Sequence, residues 1–505
     1  MIVRFSSRVA FGAAMLVGST LVVRLIGVAG LAILARLLAP ADYGIMALAL
    51  VALGLSQILF DFQVGNALIR EREVDADHLR TAFTLSTLRG ALLAALFVLG
   101  APPFAAAVGE PKLEPVLRWL ALAPLLQGFV NPRLPLFAKA LDFRKEAIVN
   151  IAGRSAFLMV AVATALARPD HWALVAGHVA AAVTSTAASY VFAPALPGFG
   201  LARWRMFVSF GGWMTGASIL SYLGEKLDAV FINAKLGVAA TGVYNIGLQT
   251  ASNFTNQLAT PLTRAMFSGL SNLAGEPARL TRAYVVAQSS VLGTLLPIGV
   301  GAALAAREIL LILAGPKWLD AEIVIQFTGP AMAMSTLVSG VHALAMVQGT
   351  TRVVFERELV NTAVRLPSLA AGIYFYDLIG FLIARTFAVS LIIVLSLRIA
   401  ARATGLGIAA LVIASWRSFA ACAVMVACVS AVGALLDRTE TSFVAAAADL
   451  AALGAAGASS YIVAHLALWR AAGRPDGFEA RAYAAAAAAV SRVAPGLSKT
   501  SGRWV

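Results

Sequence analysis

Charge is scarce in this chain. Only 13 % of its 505 residues are charged, where a soluble domain carries about 25 %. With 60 % hydrophobic residues and a mean hydropathy of +0.84, that scarcity excludes an ordinary water-soluble domain. It points to repeated passage through a bilayer. Cysteine is nearly absent. Cys422 and Cys428 share one apolar run at a spacing that fits neither a zinc site nor a disulfide framework. They read as small buried apolar side chains. There is no GxxxxGK[ST] loop, and no HExxH, GxSxG or CxxC motif. The sequence therefore offers no ATP site, no cofactor site and no metal site, and it reads as a transporter rather than an enzyme. Long polar loops are missing as well: none exceeds roughly 20 residues, against medians of about 4–6. A membrane glycosyltransferase or polymerase needs catalytic carboxylates and large extramembrane loops, and this pattern argues against both.

What the chain does hold is a series of apolar runs, each about as long as the 20 or so residues that a bilayer requires. Fourteen spans are expected, at 10–38, 43–66, 80–108, 113–137, 145–167, 172–193, 207–235, 239–265, 282–306, 318–347, 354–374, 377–399, 407–436 and 442–468. Turn-forming stretches separate them, among them APADYG, GEPK, ARPDH, ALPGFG, AGPKW and DRTET. The first run extends well past the length of a signal-peptide core, so it reads as an uncleaved first span.

The net charge is +14, but no nucleic-acid-binding module is readable. On the alternating topology, 23 of the 39 basic residues fall in loops or ends on one side, 8 on the other and 8 inside spans. The positive-inside rule then places both termini in the cytoplasm. A basic, Ala-rich tail follows from residue 470. It reads either as a partly ordered polar end or as a segment lying on the anionic inner leaflet.

An internal repeat gives the organisation. Ala35–Gly44, ARLLAPADYG, is echoed by Ala234–Gly242, AKLGVAATG. GEPKL at 109–113 is echoed by GPKWL at 315–319. The order is the same and both offsets are near two hundred residues. The expectation is an all-α polytopic membrane protein with two six-helix lobes in parallel pseudo-repeat. The boundaries are 1–200 and 201–400, then two additional transmembrane helices over 401–469 and a basic cytoplasmic tail over 470–505.

Several stretches resemble the oligosaccharide flippase (polysaccharide transport, Wzx-like) family of the multidrug/oligosaccharidyl-lipid/polysaccharide exporter superfamily. They are LARLLAPADYGIMALALV, DFQVGNALIRERE, HLRTAF, SFGGWMTGASILSYLGEKLDAVFI, LGVAATGVYNIGLQ and LLILAGPKWLDA, in that order along most of the first 350 residues. The resemblance implies a V-shaped 14-helix bundle working by alternating access in the bacterial inner membrane. It implies a substrate of undecaprenyl-pyrophosphate-linked oligosaccharide for O-antigen, capsule or exopolysaccharide synthesis. A polysaccharide polymerase and a chain-length regulator are the implied partners, beside the bilayer, for a monomeric flippase. The alternative is a cation-coupled multidrug or metabolite exporter of the same superfamily.

Ionisable residues inside spans are costly and mark candidate sites. In the mid-membrane set the cations are Arg24, Arg89, Arg154, Lys226, Arg365 and Arg385, and the anions are Asp61, Glu225, Asp228 and Asp449. The surplus of cations suits an anionic substrate, because guanidinium holds phosphate oxygens bidentately and stays charged when buried. Arg24, Arg154, Lys226, Arg365 and Arg89 are therefore the expected cationic cavity. Asp61, Glu225 and Asp228 are expected either to couple transport to an ion or to pair with a cation. Arg24 with Asp61 and Arg365 with Asp228 are the pairs considered. Tyr244, Asn245, Gln249, Ser252, Asn253, Asn256 and Gln257 recur at helical spacing and suit either sugar hydroxyls or helix–helix hydrogen bonds.

Overall fold

The computed structural model describes residues 2–59, 64–71, 73–139, 142–273, 275–347, 351–436, 441–474 and 479. Among these the fold is all-helical, with no strand. The helices are α1 (Ile2–Leu37), α2 (Pro40–Leu59), α3 (Val64–Arg70), α4 (Ala76–Val108), α5 (Leu113–Leu120), α6 (Leu122–Gly128), α7 (Leu134–Lys139), α8 (Phe143–Ala167) and α9 (Trp172–Phe192). They continue with α10 (Trp204–Ser271), α11 (Pro277–Leu304), α12 (Ala306–Leu313), a 3-10 turn (Pro316–Ala321), α13 (Glu322–Met334), α14 (Thr336–Val347), α15 (Thr351–Thr404), α16 (Ile408–Ile413), α17 (Trp416–Leu435) and α18 (Phe443–Ala471).

Local chemistry sets these limits. Asp75 caps α4 by accepting from the His78 N–H at 2.8 Å, and Gly109 ends that helix with φ 74°. Inside α10, Gly237 adopts φ 85°, so the helix is two helices meeting at a kink. α15 breaks likewise at Tyr376 and Asp377. The expected span 113–137 is interrupted into α5, α6 and α7. Pro124 explains the first break: its ring clashes with the carbonyl four residues earlier, at Leu120, where α5 stops.

Ten helical stretches among the described residues are long and apolar enough to cross a membrane. The chain is a multi-pass membrane protein. The ten map onto the expected spans unevenly. The break in α15 lies inside one stretch, Glu356–Thr404, while the expected spans 43–66 and 113–137 fall on shorter helices. Large apolar side chains on outward faces remain exposed, including Leu25, Leu99, Val191, Val444 and Val463. In water that would be a liability; in a bilayer it is the lipid-facing surface.

The chain forms two compact units. One comprises Met1–Ile246, Ile312–Ala321 and Arg365–Phe381. In it α8 packs between α1 and α9, and α4 packs on α5 and α6. Leu34, Leu38, Leu48, Leu113 and Trp318 are fully buried there. The other comprises Gly247–Leu311, Glu322–Val364 and Leu382–Val505. There α11 packs on α13 and α17, and α17 on α18.

The two ARLLAPADYG-like turns meet inside the first unit. A Cβ on Gly44 would overlap the carbonyl of Val238, and a Cβ on Gly242 would overlap the carbonyl of Pro40. The contact is reciprocal, Pro40 to Gly242 and Val238 to Gly44. Each glycine is there because backbone approaches backbone.

Candidate functional site

Three polar assemblies lie in the first unit. The first is a cavity of about 350 Å³ between α1, α8 and α9. Glu146, Asn150 and Arg154 recur every four residues on α8 and so share one helix face. Ser19 and Thr20 line it from α1, His178 and Ser185 from α9. The Arg154 guanidinium sits 5.3 Å over the Phe157 ring. Phe157 in turn meets His178 edge to face, with ring centroids 4.9 Å apart. His178 Nδ1 lies 2.9 Å from the Leu174 carbonyl, which can only accept. The proton is therefore on Nδ1 and the ring is held by its own helix. Arg154 Nη2 lies 3.4 Å from the point where a Cβ on Gly27 would stand. That turn of α1 also carries Arg24, three residues earlier, which is half-buried. The structure thus brings the two foremost expected cations onto adjoining turns of α1 and α8. To an anion the cavity offers a guanidinium, hydroxyls and an amide, with the Glu146 carboxylate two turns from Arg154 on the same face of α8.

The second assembly is a buried ion cluster. Arg365 Nη2 lies 3.0 Å from Asp228 Oδ1 and 3.2 Å from Oδ2. The Tyr244 hydroxyl donates to Asp228 Oδ2 at 2.6 Å. Asp228 is 1 % exposed and Tyr244 also 1 %, and Tyr244 meets Phe381 edge to face. Both carboxylate oxygens are thus engaged, so this is an interhelical pair that makes burial of each charge tolerable. Lys226, two residues from Asp228, is exposed and lies outside the cluster. Glu225 and Asp61 fall outside the residues whose side chains are described, as does His342. Arg89 donates from Nη2 to the Gln57 carbonyl at 2.9 Å, joining α4 to α2. Arg385 and Asp449 belong to the second unit and are half-buried.

The third assembly was not foreseen. Trp318 Nε1 donates to the Ala35 carbonyl at 2.7 Å, and Lys317 Nζ donates to the carbonyls of Arg36 at 2.9 Å and Leu38 at 2.6 Å. Arg36 Nη2 donates back to the Ile312 carbonyl at 2.8 Å. Tyr43 meets the Trp318 ring edge to face at 5.3 Å. The carbonyls that α1 leaves unpaired at its end are thus capped by a turn nearly three hundred residues away. Beside it, Asp42 accepts from the backbone N–H groups of Ala39 at 3.0 Å and His171 at 2.9 Å. Burial pushes the Asp42 carboxyl up, but hydrogen bonds from the His171 ring and these two N–H groups outweigh it and hold the carboxyl below its ordinary value. The signal for this staple was the GPKWL echo, which marked the turn but named no partner.

The second unit holds an apolar cleft of about 380 Å³ between α11, α17 and α18, lined by Pro297, Gly301, Met425, Leu453 and Tyr461 among others. Among the described residues no group of three or more His, Cys, Asp or Glu could hold a metal ion.

Residues 33–323 match the family described as polysaccharide biosynthesis protein. The lipopolysaccharide biosynthesis protein WzxC of Escherichia coli K12 is 23 % identical over 360 residues, covering 70 % of this chain and 73 % of that protein. The succinoglycan biosynthesis transport protein ExoT of Rhizobium meliloti 1021 is 23 % identical over 290 residues, covering 57 % and 58 %. Among solved structures, an inward closed conformation of the lipid II flippase MurJ superposes with a TM-score of 0.69 at 10 % identity, covering 90 % of this chain and 99 % of that one. At that identity the likeness shows a shared fold.

Proposed function

The chain belongs to the polysaccharide biosynthesis protein family, and from that premise we propose that it is a flippase. It carries a polyprenyl-diphosphate-linked oligosaccharide across the bacterial inner membrane for surface polysaccharide assembly. The observation that carries this reading is Arg154, which lines a polar cavity among membrane-spanning helices next to the turn of α1 that bears Arg24. A diphosphate brings at least two negative charges, and taking it out of water is costly unless fixed cations receive it. Ser19, Thr20, Asn150 and Ser185 supply donors and acceptors for the oxygens that the guanidinium leaves. The apolar cleft of the second unit has the lining that a hydrocarbon chain requires. The names of WzxC and ExoT, a lipopolysaccharide biosynthesis protein and a succinoglycan transport protein, support the substrate class.

On this reading the two repeats, 1–200 and 201–400, alternate access to the substrate site, with 401–469 as two added spans. Both termini lie in the cytoplasm, and a polymerase and a chain-length regulator act on what is delivered. A drug or metabolite exporter would use a carboxylate to receive a cation, and the buried carboxylate of Asp228 is already engaged by Arg365.

The experiment is reconstitution of the purified chain into liposomes with a fluorescent polyprenyl-diphosphate oligosaccharide, read by lectin accessibility from outside. Movement of that lipid, with no movement of lipophilic cationic dyes under the same gradients, is the expected result. Dye transport without lipid movement would reverse the choice in favour of the exporter.

A further inference from the structure

The packing of the second unit extends past α18. Eight residues past the helix, Glu479 is 8 % exposed, an unusual state for a glutamate on a polar tail. Its Oε1 accepts from Arg417 Nε at 2.8 Å, and His465 Nε2 lies 3.3 Å from the same oxygen. Arg417 is on the first turn of α17 and His465 is near the end of α18. One carboxylate from beyond α18 therefore bridges the start of α17 and the end of α18, which run antiparallel. The partners are themselves largely enclosed: the side chain of Arg417 is 16 % exposed and that of His465 9 %. The other ring nitrogen of His465, Nδ1, is buried and has no hydrogen-bond partner among the described residues. Glu479 is thus the polar contact that orients the ring.

We propose that Arg417 and His465 form an anion seat that the chain fills with its own Glu479, making a C-terminal strap that fastens α17 to α18. The chemistry is that of a tethered ligand. Two cationic or cation-forming groups on separate helices converge on one carboxylate oxygen, in a pocket where an uncompensated charge would be costly. Burial pushes the Glu479 carboxyl up, but hydrogen bonding and attraction from Arg417, with attraction from His465, hold it below its ordinary value. It stays ionised in the seat.

The strap also has something to control. His465 stacks on Tyr461 with ring centroids 5.3 Å apart. The Tyr461 hydroxyl donates to the Gly293 carbonyl of α11 at 2.7 Å, and the Tyr461 ring lines the apolar cleft between α11, α17 and α18. From Glu479 through His465 to Tyr461, contacts run unbroken into the wall of that cleft. Holding the strap closed fixes the spacing of α17 and α18, and so the width of the cleft between them. Release lets the two helices part. This inference concerns how the last helices are held together, and it stands whatever the protein transports.

Cys422 on α17 reports the state of the strap. It is 6 % exposed, one helical turn beyond Ser418, which hydrogen-bonds Tyr461. In full-length protein carrying Cys428→Ser, labelling of Cys422 by a small membrane-permeant maleimide measures how often the helices part. Glu479→Gln keeps the side-chain volume and removes the charge. It should speed labelling by about tenfold or more, as the loss of a charge-assisted hydrogen bond implies. The swapped pair Arg417→Glu with Glu479→Arg should slow it again. A parental labelling rate in Glu479→Gln overturns the strap, and so does a swapped pair that labels as fast as the single variant. If Glu479→Gln does not accumulate in membranes, the second measurement decides. In a cysteine-free chain bearing Arg417→Cys and Glu479→Cys, a short bifunctional thiol reagent should cross-link the two positions. Absence of the cross-link refutes the proposal.

Discussion

Replacing Asp228 with alanine is the perturbation whose cost the structure defines best. Asp228 is 1 % exposed and its two oxygens take Arg365 at 3.0 and 3.2 Å and Tyr244 at 2.6 Å. Asp228→Ala leaves a guanidinium in a bundle with its counter-ion removed, a change that costs about 3–5 kcal/mol. At tenfold per 1.4 kcal/mol, that is a factor of roughly one hundred to several thousand in the folded population. Tyr244→Phe removes one hydrogen bond within a membrane-spanning bundle, worth about 0.6–1.7 kcal/mol. The double variant Asp228→Leu with Arg365→Met removes both charges and keeps apolar bulk, so most of the loss should be recovered. The assay is thermal inactivation of the detergent-solubilised variants beside surface polysaccharide display in cells that lack the native gene. The expected order is Asp228→Ala worst, Tyr244→Phe mild, and the double variant close to the parent in both readouts. If the double variant is stable but displays no polysaccharide, Asp228 does more than pair with Arg365 and the structural reading of the cluster is wrong. If it is as unstable as Asp228→Ala, the pair is not what burial costs turn on.

Three further outcomes are expected. Gly44→Ala places a Cβ into the Val238 carbonyl and should destabilise the first unit by about 1–3 kcal/mol or more, as overpacking does; a thermal midpoint unchanged from the parent would contradict the reciprocal turn contact. Trp318→Phe keeps the ring against Tyr43 but loses the bond to the Ala35 carbonyl, and should cost about 1 kcal/mol, measurable in the same unfolding assay. At the foot of α4, the His78 N–H leads the interactions that hold Asp75 down to about 2, with the His78 ring and Arg203 adding to it. A depressed carboxyl contributes stability above its unfolded value and loses it as pH falls through the folded one. The cap should therefore be intact at neutral pH and lost progressively from the ordinary carboxylate range down to about 2. Asp75→Asn, which keeps an acceptor, should flatten stability against pH in that window; an unaltered acid profile would remove Asp75 from the account.

The helices were legible because their causes are local. Apolar run length, Gly109 and the APADYG turn each act within a few residues; the break at Pro124 was not read, and the span 113–137 ran through it. The two turns ARLLAPADYG and AKLGVAATG were singled out by their glycines, and at those glycines two backbones meet. Arg365 with Asp228 was one of the pairings considered, but burial of the carboxylate and its third member, Tyr244, depend on contacts made across the fold. Tyr244 had been read as one of a polar stripe. The staple from Trp318 and Lys317 to the end of α1 was invisible for the same reason: its partners are backbone carbonyls, which every residue has. Lys226 was expected among the cavity cations on depth in the sequence alone. It is exposed and stands apart from the Asp228 cluster.

The central claim is that Arg154 receives the anionic headgroup. The most direct measurement is the rate at which the reconstituted chain moves a polyprenyl-diphosphate oligosaccharide between leaflets, compared for the parent, Arg154→Lys and Arg154→Ala. Loss of a charge-assisted contact of about 1.5–3 kcal/mol predicts a fall of roughly tenfold to a hundredfold for Arg154→Ala. Arg154→Lys, which keeps the charge without the bidentate fork, should fall between them. An Arg154→Ala protein that inserts normally and moves the lipid at the parental rate would contradict the account.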